Sequence, residues 1–313
     1  MPSARLILFA ALAVFAAVYV AVWAASRRRA PRSPGPPGAE GEQERHAPAS
    51  LLGGIGFVVN FFDTLGIGSF ATTTSTFKLL RLVPDRLIPG TLNVGLTLPT
   101  VAQALIYISI VKVDMGTLVL MIAAAVAGAW LGAGVVASWP RRNIQIGMGI
   151  ALLFAAGLML GTQLQLFPLG GDALGVLGVR LGIALAGNFA LGALMTLGIG
   201  LYAPCMILVS LLGMNPKVAF PIMMGSCAFL MPVGSVRFIQ KQSYAPRASL
   251  WLALAGIPAV LLAAYVVTSL PLTYVRWLVV CVVLYTAVAM LRSARSDRLV
   301  AAAAPAAPTL DPG

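Results

Sequence analysis

Long apolar segments alternate with short polar gaps along most of this chain. The first apolar segment, Leu6–Ala25, is long enough to cross a bilayer, and the 25 residues after it are polar and rich in proline and glycine. Eight further apolar segments follow. The first and fifth of these are too long for one ordinary helix, whereas the others have the length of a single span. The eight segments cover residues 51–82, 89–111, 116–138, 143–161, 174–212, 215–237, 248–268 and 274–291.

The two overlong segments share one five-residue string. Thr-Leu-Gly-Ile-Gly occupies residues 64–68 and again 196–200, and a shift of 132 residues aligns 57–100 with 189–232 without a gap. Two pairs of prolines fall in register, which is hard to obtain by chance. We therefore interpret the core as two copies of one four-segment unit. The paired prolines are Pro84 with Pro216 and Pro89 with Pro221.

The basic residues discriminate between two topologies for these copies. If each overlong segment enters and leaves the membrane on one side, the second copy is inverted, and the 21 basic residues divide 16 to 5 between the two sides. If the overlong segments cross fully, the division is 13 to 8. Lys and Arg concentrate on the cytoplasmic side of membrane proteins, so the inverted arrangement is favoured. Inverted repeats around broken helices recur in transporters.

The sequence thus predicts an all-α polytopic protein of the bacterial inner membrane. Its two inverted repeats each contain a re-entrant helical hairpin and three transmembrane helices, and one extra transmembrane helix precedes them. The arginines that follow the first segment argue against a cleavable signal peptide. The predicted units are an N-terminal transmembrane helix (1–26), a flexible cytoplasmic linker (27–50), a first transporter repeat (51–161), a second transporter repeat (174–291) and a disordered cytoplasmic tail (292–313).

Each glycine string is predicted to interrupt a helix at membrane depth. A helix that begins there directs unpaired N–H groups and a partial positive charge at the midplane. Two such tips that meet would form a site for an anion with several oxygens. Close packing of glycines between helices is the alternative explanation. The predicted substrate-binding residues are Gly66, Ile67, Gly68, Ser69, Thr72, Thr73, Gly198, Gly200 and Tyr202 at the tips, with Asn93 and Ser226 on the helices that follow.

Asp63 lies three residues before the first glycine of its string, where the second copy has Met195. An ionisable group at this depth is costly and is commonly functional. Two roles are open for it: Asp63 carries a proton that couples a gradient to anion movement, or it braces the hairpin. Three other polar residues, Gln103, Asn60 and Asn188, are predicted to brace neighbouring helices, and Tyr107 is predicted to lie at the membrane interface.

Composition supports a membrane protein and removes several function classes. Hydrophobic residues make up 59% of the chain and charged residues 10%, whereas soluble domains carry roughly 25% charged residues. The net charge of +12 is dispersed between the apolar segments, so it indicates membrane orientation rather than a nucleic-acid partner. Three cysteines without metal spacing and a single histidine in the linker predict no metal site, no cofactor and no acid–base catalytic pair.

Both copies combine a glycine-rich stretch with a downstream proline and a polar turn into the next helix. The first copy reads GGIGFVVNFFDTLGIGSFATTT and RLVPDRLIPGTLNVGLTLPTVAQALIY, and the second reads GNFALGALMTLGIGLYAPCMILVSLLGMNPKVAFPIMMGSCAFLMP. Over residues 51–291 this pattern resembles the TauE/SafE sulfite exporter family, also called the toluene-sulfonate uptake permeases. The resemblance implies a secondary carrier of sulfite, sulfoacetate or other organosulfonates rather than an enzyme. Protons or another coupling ion are the implied co-transported partners.

Two alternatives to a carrier are compatible with the sequence. The same architecture could form an anion channel. A membrane protein that handles sulfur through its cysteines is the other alternative, because Cys205 and Cys227 both lie in the second copy near the predicted site.

Overall fold

The described part of the chain is helical. The computed structural model describes residues 2–29, 47–65, 68–136, 171–195 and 201–266, with scattered positions between 146 and 166 and between 284 and 292. Within these ranges lie nine α-helices, with a single 3₁₀ turn before α4 (Asp85–Leu87) and another before α8 (Pro216–Val218). The helices are α1 (Pro2–Arg29), α2 (Ala49–Thr64), α3 (Ser69–Leu79), α4 (Ile88–Ile110), α5 (Met115–Val136), α6 (Gly178–Met195), α7 (Tyr202–Leu211), α8 (Ala219–Gln240) and α9 (Pro246–Val266).

Six of these helices are long and apolar enough to cross a membrane: α1, α4, α5, α6, α8 and α9. The mean hydropathy of their spanning windows runs from 1.4 to 2.6. The chain is therefore a multi-pass membrane protein, as its composition predicts. By contrast α3 has 11 residues and α7 has 10, which makes each about 15 Å long, half of a bilayer core. The predicted spans at 143–161 and 274–291 lie almost entirely outside the described residues.

Each overlong segment contains two helices rather than one. In the first, α2 ends at Thr64 and α3 begins at Ser69, and Gly68 between them has a φ of 89°. That left-handed conformation is one that glycine adopts at little cost. In the second segment α6 ends at Met195 and α7 begins at Tyr202. We refer to α2 with α3 as the first hairpin and to α6 with α7 as the second hairpin.

The two equivalent helices α4 and α8 pack against each other in the centre of the molecule and run antiparallel. Their contacts pair the start of one helix with the end of the other. Each helix also contains an internal proline, Pro99 in α4 and Pro232 in α8, which removes one backbone hydrogen bond near mid-span. The contacting pairs are Gly90 with Phe238, Thr97 with Ser235 and Ile108 with Gly225.

The first helix of each hairpin packs on a long helix of the other copy: α2 packs on α9, and α6 packs on α5. These two pairings occupy equivalent positions in the two copies. On one side α2 runs parallel to α9, with Asn60 beside Gly256. On the other side α6 runs parallel to α5, where the Asn188 Nδ2 donates to the Met121 carbonyl at 2.7 Å. The small residues allow the backbones to approach closely, which is a common way to join helices in a membrane.

The loops of the bundle lie at two opposite ends. End A holds the loops 80–87 and 241–245, and there the Ala245 N–H donates to the Thr91 hydroxyl in the first turn of α4 at 2.9 Å. End B holds the segments 111–114, 171–177 and 212–218. There the Asp114 N–H donates to the Leu174 carbonyl at 2.9 Å, and the Asn215 N–H donates to the Ala173 carbonyl at 2.9 Å.

Helix α1 packs against the central pair, α4 and α8. The Tyr19 hydroxyl donates to the Val94 carbonyl at 2.6 Å, and the Phe15 ring meets the edge of Phe229 at a centroid distance of 5.3 Å. The end of α1, at Arg29, points towards end A, because Trp23 packs with residues near the start of α4 and the end of α8. Arg5 accordingly lies towards end B.

The contact between α5 and α6 yields a stability prediction with a control on the same helix. A Cβ at Gly192 would overlap the Ala125 carbonyl of α5, whereas a Cβ at Gly182 meets nothing within 4 Å. We expect Gly192→Ala to force the helices apart and cost about 1–3 kcal/mol. Gly182→Ala should leave stability unchanged or raise it by about 0.5–1 kcal/mol. Thermal unfolding in detergent measures both variants, and equal melting temperatures would contradict the described packing.

Candidate functional site

A cavity of about 30 Å³ lies where the two hairpins approach the central helices. A buried water needs roughly 10–15 Å³ on this measure, so the cavity has room for two waters or for the head of a small molecule. Both hairpins and both central helices contribute to its wall. The lining residues are Asp63, Gly68, Ser69 and Phe70 of the first hairpin, Met195 and Leu201 of the second, Thr100 of α4, and Met223, Met224, Cys227 and Met231 of α8.

The carboxylate of Asp63 lies against the start of α3, beside the hydroxyl and the backbone N–H of Ser69. It accepts a hydrogen bond from the Gln103 Nε2 at 3.1 Å. Asp63 is itself buried, with 8% of its surface exposed. A carboxylate at this position offsets the partial positive charge of the helix start. The first tip therefore already holds an anionic group of its own.

The end of α2 is braced from α4. The Gln103 Nε2 also donates to the Thr64 hydroxyl at 3.0 Å, and the Tyr107 hydroxyl donates to the Thr64 carbonyl. The ring of Tyr107 stacks on Phe220 at a centroid distance of 4.8 Å. The bracing role expected for Gln103 is confirmed. The interfacial position expected for Tyr107 is wrong, because its side chain is buried and holds the hairpin tip.

The threonine hydroxyls that follow Ser69 bond to their own helix instead of facing the cavity. The Thr72 hydroxyl donates to the carbonyls of Gly68 and Ser69, each at 3.0 Å, and the Thr73 hydroxyl donates to the Ser69 carbonyl at 2.7 Å. Neither threonine lines the cavity, whereas Gly68 and Ser69 do. The hydroxyl-rich sequence thus contributes one side chain, Ser69, to the cavity wall.

The predicted residues on the following helices lie away from the cavity wall. Asn93 donates from Nδ2 to the Pro89 carbonyl at 2.8 Å, one turn earlier in α4. Ser226 accepts a bond of 3.2 Å from Asn188 Nδ2, which joins α8 to the second hairpin. Four predicted residues, Gly66, Ile67, Gly198 and Gly200, lie outside the described residues, and Tyr202 is described only as the first backbone position of α7.

Sulfur-containing side chains form much of the cavity wall. Met223, Cys227 and Met231 recur every four residues, so they lie on one face of α8. The Cys227 Sγ lies 3.7 Å from the Sδ of Met195, on the second hairpin. The sequence contains the i, i+4, i+8 spacing that could have identified this wall, but methionines on an apolar helix resemble ordinary core. No lysine or arginine is among the described residues that line the cavity.

Comparison with known proteins identifies one family. The model of the family described as "Sulfite exporter TauE/SafE" matches residues 1–159, which is just over half of the chain. This match includes α1 and the linker, whereas the motifs that suggested the resemblance begin at residue 51. Neither a curated protein nor a solved structure matches the chain.

The brace on the first hairpin can be tested with two single-hydroxyl variants of α4. Tyr107→Phe keeps the ring on Phe220 but removes the donor to the Thr64 carbonyl, so we expect a loss of about 1–3 kcal/mol. Hydrogen exchange of the peptide that contains residues 64–70 should become faster. Ser109→Ala removes an exposed hydroxyl that bonds only to the Leu105 carbonyl, and it should leave this exchange unchanged. Equal exchange in both variants would show that Tyr107 does not hold the tip.

Proposed function

Because this chain belongs to the TauE/SafE sulfite exporter family, we propose that it moves a small sulfur-containing anion across the membrane by alternating access. The family places the chain among membrane transporters rather than enzymes. Sulfite, sulfoacetate and other organosulfonates are the proposed substrates. The observation that carries the proposal is the cavity bounded by both hairpins and both central helices, a position at which transporters with repeated folds hold their cargo.

Two sets of contacts support inverted repeats with re-entrant hairpins. The first hairpin begins beside the start of α9 and leads through residues 80–87 into α4, so both of its ends lie at end A. The second hairpin begins beside Thr117 and leaves through residues 212–218, so both of its ends lie at end B. The antiparallel contact of α4 with its equivalent α8 supports the same inversion.

The distribution of charge supports an orientation with end A in the cytoplasm. Eight basic residues whose side chains are described lie at or near end A, and four lie at or near end B. Because lysine and arginine favour the cytoplasmic side, we place end A there. The residues at end A are Arg27, Arg28, Lys78, Arg81, Arg86, Arg237, Lys241 and Arg247, and those at end B are Arg5, Lys112, Arg180 and Lys217.

The packing suggests which parts move together. Since α2 packs closely on α9 and α6 packs closely on α5, each hairpin would move with a helix of the other repeat. The α4 and α8 pair lies between these two units. Rocking of one unit against the other around this pair would open the cavity first to end A and then to end B, as alternating access requires.

Accessibility of two equivalent positions tests the inversion. Arg86 and Lys217 are exposed and lie in the 3₁₀ turns that precede α4 and α8. We expect Arg86→Cys to react with a membrane-impermeant maleimide only from the cytoplasmic side and Lys217→Cys only from the opposite side. The unsubstituted protein, whose Cys205 is buried and whose Cys227 is half-buried, provides the background signal. Reaction of both variants from the same side would rule out inverted repeats.

Uptake into proteoliposomes tests the cavity and the transported class. Cys227→Leu places a larger, branched side chain in the cavity wall and should obstruct the cavity, so uptake of labelled sulfite should fall at least tenfold. Val233→Leu, at an exposed position of the same helix, should retain uptake.

A second substitution at Cys227 separates the effect of filling the cavity from the effect of removing the thiol. Cys227→Ala should retain uptake, because it leaves the cavity open while it removes the thiol. Loss of uptake in Cys227→Ala, with Val233→Leu active, would favour the cysteine-dependent alternative. Absence of uptake of sulfite, sulfoacetate and methanesulfonate by the unsubstituted protein, reconstituted in folded form, would contradict the proposed function.

A further inference from the structure

We propose that the cavity admits a singly charged anion only when Asp63 carries a proton, so that proton and anion cross the membrane together as a neutral pair. This inference rests on the proposed transport function and names the coupling ion and the charge of the substrate. It arises from one feature of the described cavity: its wall contains a carboxyl group and contains no basic side chain.

Among the side chains that the structure describes, the groups around Asp63 offer no compensating positive charge. The Ser69 hydroxyl and N–H face it from α3, and it accepts a hydrogen bond from the amide of Gln103 on α4. The described titratable groups that face this region are the Tyr107 hydroxyl on α4, the Cys227 thiol on α8 and the Cys205 thiol on α7, all of which are acids. At the level of Asp63, α9 contributes alanine and valine, and Lys78 lies at the far end of α3.

An ionised Asp63 and an anion in the same small cavity would repel each other strongly. At an effective dielectric constant of about 20, two like charges about 5 Å apart weaken binding by more than a hundredfold. A proton on Asp63 removes this repulsion. It also turns one carboxyl oxygen into an O–H donor, which can bond to an oxygen of the anion together with the Ser69 and Thr100 hydroxyls.

The charge inside the cavity also restricts the charge of the substrate. When Asp63 is protonated, a sulfonate or hydrogensulfite brings one negative charge into the cavity, which equals the charge of the empty cavity with ionised Asp63. Sulfate would bring two negative charges into a wall made of sulfur, hydrocarbon and hydroxyl groups, which is one more than the empty cavity holds. The cavity should therefore discriminate against sulfate although sulfate and sulfonates share the same oxygen geometry.

Because the second hairpin has no acid at the position equivalent to Asp63, one proton should accompany each anion. Met195 occupies the position equivalent to Asp63, and it contributes a thioether to the cavity instead of an acid. The proton comes from the compartment to which the cavity is open and leaves to the opposite compartment with the anion. No covalent bond in the substrate forms or breaks in this cycle.

Uptake by the unsubstituted protein gives the first test and needs no variant. The membrane potential of the proteoliposomes is set with potassium and valinomycin. Methanesulfonate uptake should increase when the side from which it enters is made acidic, and it should be unaffected by the membrane potential. Excess sulfate should compete at least a hundredfold more weakly than sulfite at the same pH. Uptake that an inside-positive potential accelerates, or equal competition by sulfate, would overturn the inference.

Asp63→Asn provides the second test. It keeps an oxygen beside Ser69 but never ionises, so methanesulfonate exchange should persist with no dependence on pH, and uptake should now respond to membrane potential. Asp114→Asn is the matched control. Asp114 is an exposed carboxylate that accepts from the Thr117 N–H at 2.8 Å at the start of α5, outside the cavity, and its variant should behave as the unsubstituted protein does.

The results of these experiments distinguish failure of the coupling inference from failure of the transport proposal on which it rests. If the unsubstituted protein takes up methanesulfonate with no response to pH gradients, the coupling inference fails while the transport proposal stands. If Asp63→Asn folds, as judged by its melting temperature, and still shows the pH dependence of the unsubstituted protein, Asp63 is not the proton carrier. If no sulfur anion is taken up under any gradient, the transport proposal itself fails.

Discussion

The hydrogen bonds from α4 to the end of α2 are the constraint on which the site depends. A helix that begins inside a bilayer leaves N–H groups that lipid cannot satisfy. Here the carboxylate of Asp63, just before the break, lies against the start of α3 at Ser69, and Gln103 holds that carboxylate from α4. Because the end of α2 is also bonded to Tyr107, the break is fixed in position and its polar groups face a cavity instead of lipid.

Two equivalent close contacts between helices fix the scaffold around this break. Glycines at the crossings of α2 with α9 and of α5 with α6 leave no room for a Cβ, so the helices have few alternative positions. The central α4–α8 contact differs in composition, since prolines interrupt both helices and single hydroxyls such as Thr97 and Ser235 join them. Closely packed outer pairs on either side of this central pair are compatible with the proposed rocking of rigid units.

Much of the helical architecture could be predicted from the sequence, because hydrophobic length and paired prolines act over long stretches of chain. The interruption of both overlong segments near the repeated glycine string was predicted for the same reason. The cavity wall was harder to predict, since it depends on which face of α8 turns inwards. Met223 and Met231 were not predicted because apolar side chains carry no individual signal, whereas Thr72 and Thr73 were overvalued because mid-helix hydroxyls commonly bond to the preceding turn.

The two hairpin tips differ because one carries Asp63 where the other carries Met195, and this difference sets the number of acids in the cavity. With an acid at both tips, the cavity would hold two negative charges before any cargo entered, and each further anion would need two protons. With no acid at either tip, anion binding would be indifferent to the proton gradient. One acid, at Asp63, and one thioether, at Met195, leave a cavity with a single titratable carboxyl between two similar structural halves. If Asp63 carries the proton as proposed, alternating access can be driven in one direction by the protons that this single group accepts on one side and releases on the other.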